Sequence, residues 1–198
     1  MGNAGLEELG IVDDGEGGES PSEEAQSDDE VVSGEIDLGG EDYTRALIKA
    51  LKHISLFDGL LPLHLERIAA LVQEIHYKRN MPVFKHGDEG DGLYLIMGGS
   101  IRISRSVSGM GEEALAILKP GMYFGEMSIV DDDVPRSADA IAHEDSRLLK
   151  LPKDDLRDLM FVDRELAYEL LWRFVRTLSG RLRDSNDRLL MLTVSSKF

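Results

Sequence analysis

Between residues 77 and 151 the sequence consists of short β-type runs separated by glycine turns, and this pattern restricts the possible folds most strongly. Within one run, Ile101 and Ile103 alternate with Arg102 and Ser104, which predicts that one face is buried. Closely spaced short strands are typical of a small jelly-roll barrel, whose interior can hold one small ligand. Strands are predicted at 81–84, 92–97, 100–107, 114–118, 139–142 and 147–151, with turns at 87–88, 98–99 and 109–111.

Helical patterns flank these strands on both sides. Apolar residues follow helical spacing from Tyr43 to Phe57 and again from Leu63 to Ile75. Asp154 or Asp155 is the expected cap of a further helix, and the pattern is again helical from about residue 163 to 192. The predicted fold class is therefore α+β: a small β jelly-roll barrel with N-terminal helices and a long C-terminal helix.

The N-terminal part of the chain differs sharply from the rest in charge. The net charge is −16, but residues 1–43 hold fifteen acidic side chains and no Lys or Arg, which leaves 23 acidic against 22 basic residues elsewhere. Residues 1–40, rich in Gly, Ser, Glu and Asp, are predicted to be an acidic disordered tail, and residues 41–198 the folded domain. Because Glu30-Val31-Val32 and Ile36-Asp37-Leu38 mix acidic and apolar residues, the tail is either a solvating segment or a partner-binding arm.

Composition argues against several classes of protein. The absence of cysteine excludes disulfides and thiolate chemistry and is typical of a cytoplasmic protein. The five scattered histidines predict no metal site, and no apolar run predicts a membrane span or a signal peptide. The near-neutral folded part lacks the basic surface that nucleic acid requires. No acid–base pair, nucleophile elbow or Walker loop is present, so we expect no enzymatic activity.

The stretch from Phe124 to Ala138 contains the most specific candidate site. Gly125 permits close backbone approach to a ligand, and a short helix beginning near Glu126 would direct free N–H groups at an anion. Arg136 is the only basic residue in the stretch, and its planar guanidinium suits bidentate binding of a phosphate. The Glu126 carboxylate can accept hydrogen bonds from sugar hydroxyls. Together these residues predict a nucleotide site.

The same stretch resembles the phosphate-binding cassette of the cyclic nucleotide-binding domain family, which includes the bacterial catabolite activator protein and the regulatory subunits of cyclic-AMP-dependent kinase. The resemblance extends over about residues 45–192, because segments at 84–88, 91–96, 98–103 and 118–121 follow in the family's order and spacing. It implies that Arg136 binds the cyclic phosphate and Glu126 the ribose. The implied ligand-binding residues here are Phe124, Gly125, Glu126, Met127, Ser128, Arg136, Ser137 and Ala138.

Several residues near the cassette bear on the ligand. A threonine at position 137 favours guanine in the family, so Ser137 indicates cyclic AMP in preference to cyclic GMP. Cyclic GMP stays open as the alternative ligand. Asp139 departs from the usual threonine or serine, and the acidic run Asp131–Asp133 adds charge, so both are expected to lower affinity for an anion. The alternative for Arg136 is a surface ion pair with that run, and for Glu126 a carboxylate favoured by a helix start.

The C-terminal helix carries the other half of the predicted site. The run Ser179-Gly180-Arg181-Leu182 followed by Ser185-Asn186 is similar to the catabolite activator's C-helix, where a Thr-Ser pair contacts adenine. Ser185 and Asn186 are therefore either base contacts or polar residues that fix register. A heptad seam predicts a homodimer, with a single helix packed on its own barrel as the alternative; its members are Leu171, Val175, Leu178, Leu182, Ser185, Leu189 and Leu192.

The resemblance predicts a non-catalytic sensor of cyclic AMP or cyclic GMP, without a metal, that signals through an unidentified protein partner. Few residues follow Leu192, too few for the helix-turn-helix domain of catabolite-activator-type transcription factors, so no nucleic-acid partner is expected. Two alternatives stay open: a cyclic dinucleotide receptor or ligand-free interaction scaffold, and a regulatory subunit of an enzyme.

Overall fold

The computed structural model describes residues 40–107, 109, 111–131 and 134–195. The predicted acidic tail, except for Gly40, lies outside these residues, as do Asp132 and Asp133 of the acidic run.

Two four-stranded antiparallel sheets form a barrel with helices at both ends, which confirms the predicted fold class. The helices are α1 (Gly40–Leu51), α2 (Pro62–Ala69), α3 (Met127–Val130), α4 (Lys153–Val162) and α5 (Arg164–Ser195), with a 3-10 turn at Ser55–Phe57. The strands are β1 (Gln73–Tyr77), β2 (Pro82–Phe84), β3 (Gly92–Gly98), β4 (Ile101–Val107), β5 (Gly111–Leu118), β6 (Tyr123–Phe124), β7 (Asp139–Ala142) and β8 (Ser146–Pro152).

The two sheets have the strand orders β1-β8-β3-β6 and β2-β7-β4-β5. Between them lies an apolar cluster that includes Ile96, Ile101, Phe124 and Leu148. The opposite face of the first sheet packs against the helices in a larger cluster. Because β3 is covered on both faces, its residues form a continuous buried apolar run rather than an alternating one.

Three predicted helix boundaries were wrong. The helix predicted to end at Ile75 ends at Ala69, and Gln73–Tyr77 instead forms β1, which pairs with β8. The first predicted helix is interrupted after Leu51. Helix α4 begins directly after Pro152 without a side-chain cap hydrogen bond, so the two aspartates proposed as caps lie in its first turn.

Two features of the strands were also missed. The two-residue strand β6 was not predicted, although it carries Phe124 into the barrel. The alternation predicted along β4 fails after Ile103, where a register shift separates it from Ser104. The shift turns the Ser104 side chain inward, where it is fully buried.

Helix α5 spans 32 residues, and its two halves have different surroundings. Near its start, Leu166, Leu170 and Phe174 are buried in the cluster shared with the first sheet. Farther along, the predicted seam residues Leu182 and Leu189 are about three-fifths exposed. The first half is thus anchored by apolar burial, whereas the second half contacts the barrel through Arg181 and Arg188. No helix in the described part of the chain has the length and apolarity needed to cross a membrane.

Candidate functional site

A cavity of about 430 Å³ lies between the α3 region, β5 and the second half of α5. Its volume falls in the usual range for a small-molecule site. Ser185 lines the cavity, whereas Asn186 is exposed and does not. The other predicted ligand residues all line it: Phe124, Gly125, Glu126, Met127, Ser128, Arg136, Ser137 and Ala138.

Arg136 is held in place by hydrogen bonds from both terminal nitrogens, and only 4% of it is exposed. Its Nη1 donates to the Gly125 carbonyl and to Ser128 Oγ, each at 3.2 Å. Its Nη2 donates to Asp91 Oδ1 at 2.8 Å and to the Gly92 carbonyl at 3.0 Å. The arginine is therefore a buried group paired with Asp91, and not the surface residue of the alternative interpretation.

A second set of contacts fixes the partners of this arginine. The Arg136 guanidinium lies 4.1 Å from the centre of the Phe84 ring. Asp91 also accepts hydrogen bonds from Lys150 at 2.6 Å and from the Tyr94 hydroxyl at 3.1 Å. Burial raises the pKa of Asp91, but the hydrogen bonds from Lys150 and Arg136 outweigh it, so the pKa lies below its ordinary value. Asp91 therefore stays ionised at neutral pH and orients the arginine.

The Nε atom of Arg136 is the one nitrogen of this side chain that lacks a partner. It is buried and makes no hydrogen bond among the described residues. An unsatisfied buried donor on a charged group costs free energy, typically 1–3 kcal/mol or more. Because the side chain also lines the cavity and is positively charged, an anion bound there is its natural partner.

Gly125 is required by two separate constraints. Its φ of +86° lies in the left-handed region that favours glycine. A Cβ at this position would lie 2.6 Å from Arg136 Nη1 and 2.9 Å from the Gly92 carbonyl oxygen. Gly90 has a similar constraint, because a Cβ there would lie 2.0 Å from the Cβ of Ser128. Sequence reasoning identified Gly125 and missed Gly90.

Glu126 is connected to α5 by an arginine that sequence reasoning did not assign to the site. Only 2% of Glu126 is exposed, and it forms an ion pair with Arg181. Arg181 also donates to the Tyr123 carbonyl at 3.0 Å. The only signal in the sequence that could have suggested a basic partner is the Glu126 carboxylate itself, because a buried carboxylate needs a charged partner. Glu126 is thus held from across the cavity and does not merely precede α3.

The end of the cavity nearest α5 is more open and less constrained. Arg188 donates to the Leu115 carbonyl of β5 at 2.8 Å. Asp184 and Ser185 line the cavity and form no hydrogen bond or ion pair within the described part of the chain. Ile117 lines the same region, is 47% exposed, and offers an apolar surface. This end provides polar groups and a flat apolar wall, as a nucleotide base requires.

The carboxylates expected to oppose an anion are not all directed at it. Asp139 Oδ1 accepts a hydrogen bond from the His86 backbone N–H at 2.8 Å, and Asp139 does not line the cavity.

Ser137 is exposed, and its hydroxyl lies 3.7 Å from the Met127 sulfur. In the part of the chain that the structure describes, no cluster of three or more histidine or acidic side chains is arranged to hold a metal ion.

Comparison with known proteins identifies relatives of two kinds. The family described as cyclic nucleotide-binding domain matches residues 74–163. The cyclic AMP receptor protein of Thermus thermophilus is 37% identical over 72% of this chain and 64% of its own length. A cAMP-dependent protein kinase regulatory subunit from Aspergillus niger is 31% identical over 56% of this chain and 26% of its own length.

A solved cyclic nucleotide-binding domain from Methylobacillus flagellatus superposes with a TM-score of 0.65, at 28% identity, and covers 75% of this chain and 83% of that domain. This chain spans less than two thirds of the length of the cyclic AMP receptor protein that it resembles.

Proposed function

Because the chain belongs to the cyclic nucleotide-binding domain family, we propose that the cavity binds a cyclic mononucleotide and that the protein is a non-catalytic sensor. The observation that carries this proposal is Arg136, a buried and fixed guanidinium that lines the cavity. A cyclic phosphate supplies a single negative charge of suitable size for that position. We place the protein in the cytoplasm and assign it no metal.

Cyclic AMP is the preferred ligand in this proposal. Ser137 replaces the threonine that favours guanine, and one relative is named for cyclic AMP. The apolar wall that includes Ile117 suits the flat faces of either purine. Cyclic GMP is therefore the natural competitor, and base preference depends on the groups that α5 presents.

Ligand binding is coupled to α5 through Glu126. Ribose hydroxyls would donate to the carboxylate that now pairs with Arg181. A ligand that changes this pair changes the relative stability of α5 positions, which is a population shift driven by differential affinity. A protein partner would then recognise the new position of the helix. The relative that is a kinase regulatory subunit favours, as a second candidate, the regulation of an associated enzyme.

We also propose a homodimer through the exposed face of α5. Leu171, Val175, Leu182 and Leu189 are each at least two-fifths exposed and repeat with heptad spacing. A second copy of the same face would bury them. Sedimentation at increasing concentration should show a dimer, and Leu182→Asp should yield a monomer at the same concentrations.

Calorimetric titration with cyclic AMP and cyclic GMP tests the ligand proposal. We expect saturable 1:1 binding, and Arg136→Ala should weaken it by about 100-fold, since hydrogen bonds to charged groups contribute about 1.5–3 kcal/mol each. Arg105→Ala is the matched control, because Arg105 is exposed and does not line the cavity. Tight binding that survives Arg136→Ala would contradict the proposed phosphate contact.

A further inference from the structure

The end of α4 presents the most exposed large apolar side chains among the described residues. Phe161 is 80% and Val162 is 79% exposed, although Leu159 and Met160 just before them pack against the core. Single apolar residues on a surface are ordinary, but two adjacent ones at this exposure suggest a covered surface. Arg164 follows, exposed and with no partner in the described part of the chain. We call Phe161, Val162 and Arg164 the junction patch.

The junction patch lies on a rigid base. Asp163, in the middle of it, is buried, forms an ion pair with Arg67 of α2, and lies 3.6 Å from the His64 Nε2 of the same helix. The Asp163 carboxylate also accepts the Leu166 N–H at 3.1 Å, which satisfies a free donor at the start of α5. The patch is therefore a preformed surface at the junction between α4 and α5, with the partly exposed Arg67 beside it.

The N-terminal segment precedes a helix that packs against α2, the helix that carries Arg67. Helix α1 begins at Gly40 and packs against α2. Tyr43, in the first turn of α1, is partly buried against the apolar cluster that includes Leu65 and Ile68 of α2. Strand β1 begins just after α2 ends, and Arg67 lies in the last turn of α2. The eight residues 31–38 can extend over about 26–29 Å.

We propose that residues 31–38 dock in cis on the junction patch. The segment Val31-Val32-Ser33-Gly34-Glu35-Ile36-Asp37-Leu38 has apolar residues at both ends and two carboxylates between them. Its apolar residues suit Phe161 and Val162, and its carboxylates complement the unpaired Arg164 and the partly exposed Arg67. Docking there joins the N-terminal segment to the start of α5, the helix that contacts the cavity. Docking of this segment does not require any particular ligand in the cavity.

A single introduced thiol tests the docking, because the chain has no cysteine. Val162→Cys is made in the full chain, and its rate of modification by a thiol reagent is measured without nucleotide. Adding Val31→Asp and Val32→Asp should raise that rate about fivefold or more, which corresponds to a docked fraction above about four-fifths. Ile11→Asp with Val12→Asp is the matched control, an apolar pair elsewhere in the acidic segment, and should leave the rate unchanged.

Hydrogen exchange in the full chain gives an independent measurement. Amides of residues 31–38 should be protected in the wild type and lose that protection in Phe161→Ser, an exposed position where the substitution should not affect folding. Equal thiol modification rates in all backgrounds would overturn the proposal. Protection that increases with protein concentration would overturn it too, by showing that a second copy covers the patch. If the Ile11 and Val12 substitutions raised the modification rate equally, the association would be non-specific and the proposal would be overturned.

Discussion

The two ends of the cavity differ in how firmly their side chains are held. At the cassette end, Arg136 is buried and donates to Gly125, Ser128, Asp91 and Gly92. At the helix end, the lining residues of α5 are mostly exposed, and Arg188 makes only its contact with a β5 carbonyl. The cassette end is thus fixed before a ligand arrives, whereas the helix end is free to adjust.

This difference assigns different roles to the two ends. Preorganised donors bind an anion without further ordering, so the cassette end should supply most of the affinity. Segments with few packed contacts have low local stability and are the elements that move in response to ligands. The second half of α5 meets that description, and the Arg181–Glu126 pair is the main link between the ends. The sensor role proposed above would need both properties in one site.

The largest effect is expected from breaking that link. Arg181→Ala leaves the Glu126 carboxylate, which is 2% exposed, without its charged partner. Leaving a buried charge unpaired typically costs 3–5 kcal/mol, and since Arg181 is itself partly exposed we expect a loss of about 3 kcal/mol in the free energy of unfolding. Urea denaturation measures it. Arg183→Ala, an exposed position two residues away, should change stability little, and an equal loss in both would refute the link.

A smaller loss is expected at the fixed end. Gly125→Ala forces an alanine into a φ of +86° and places its Cβ against Arg136. Strain of this kind costs about 1–3 kcal/mol, so we expect a stability loss of about 2 kcal/mol together with weaker nucleotide binding. Gly180→Ala is the control, since a Cβ there meets no atom and removing a helical glycine should stabilise by about 0.5–1 kcal/mol. Unchanged nucleotide affinity in Gly125→Ala would show that the cassette end is adaptable.

The firm attachment of the first half of α5 can be tested through pH. A hydrogen bond from the Leu166 N–H, with nearby His64 and Arg67, lowers the pKa of Asp163. Because the folded-state pKa is below the unfolded value of about 3.9, the stabilisation is fully present above that pH and is lost as pH falls through the folded pKa.

Asp163→Asn, which retains a capping side chain, should therefore lose about 1 kcal/mol at pH 7, typical of an ion pair with a partly exposed partner. The difference from wild type should disappear in strong acid. Asp154→Asn, in the exposed first turn of α4, is the control. A difference that persists unchanged at low pH would show that the charge of Asp163 contributes nothing.

Features that depend on neighbouring residues in the sequence could be predicted, and features that depend on distant residues could not. Each strand, and the cassette, consists of contiguous residues, so Gly125, Glu126 and Arg136 could be identified from the sequence. The structure places these three residues together at the cavity. Strand β1 could not be separated from the preceding helix, because Ile75 continues a helical spacing. Only pairing with β8, distant in sequence, makes it a strand.

The partner of a buried charge is equally non-local. The sequence offers several arginines on α5, and only the packing of the helix selects Arg181 for Glu126. The direction in which a side chain of α5 points is also set by the packing of the helix, because successive helical residues are rotated by about 100° around the axis. Asn186, predicted as either a base contact or a register residue, does not line the cavity, while Ser185 and the unpredicted Asp184 do. Ser104 was misplaced by the register shift in β4.

Asp184 yields the smallest and most selective prediction, at the adjustable end. A carboxylate can accept both the N1–H and the amino group of guanine, but only the amino group of adenine. Asp184 has no partner within the described residues, so it is available to read the base, and it opposes the preference that Ser137 indicates. Asp184→Asn should therefore weaken cyclic GMP binding more than cyclic AMP binding, by roughly threefold at this solvent-accessible position.

Parallel calorimetric titrations with the two nucleotides measure that ratio directly. Asp187→Asn is the matched control, because it removes an equal charge from an exposed position on α5 that does not line the cavity. If both variants change the two affinities by the same factor, Asp184 acts only through net charge and the helix end does not read the base. If only Asp184→Asn changes the ratio, selectivity resides in the adjustable end while affinity resides in the fixed one, and the two can be altered separately.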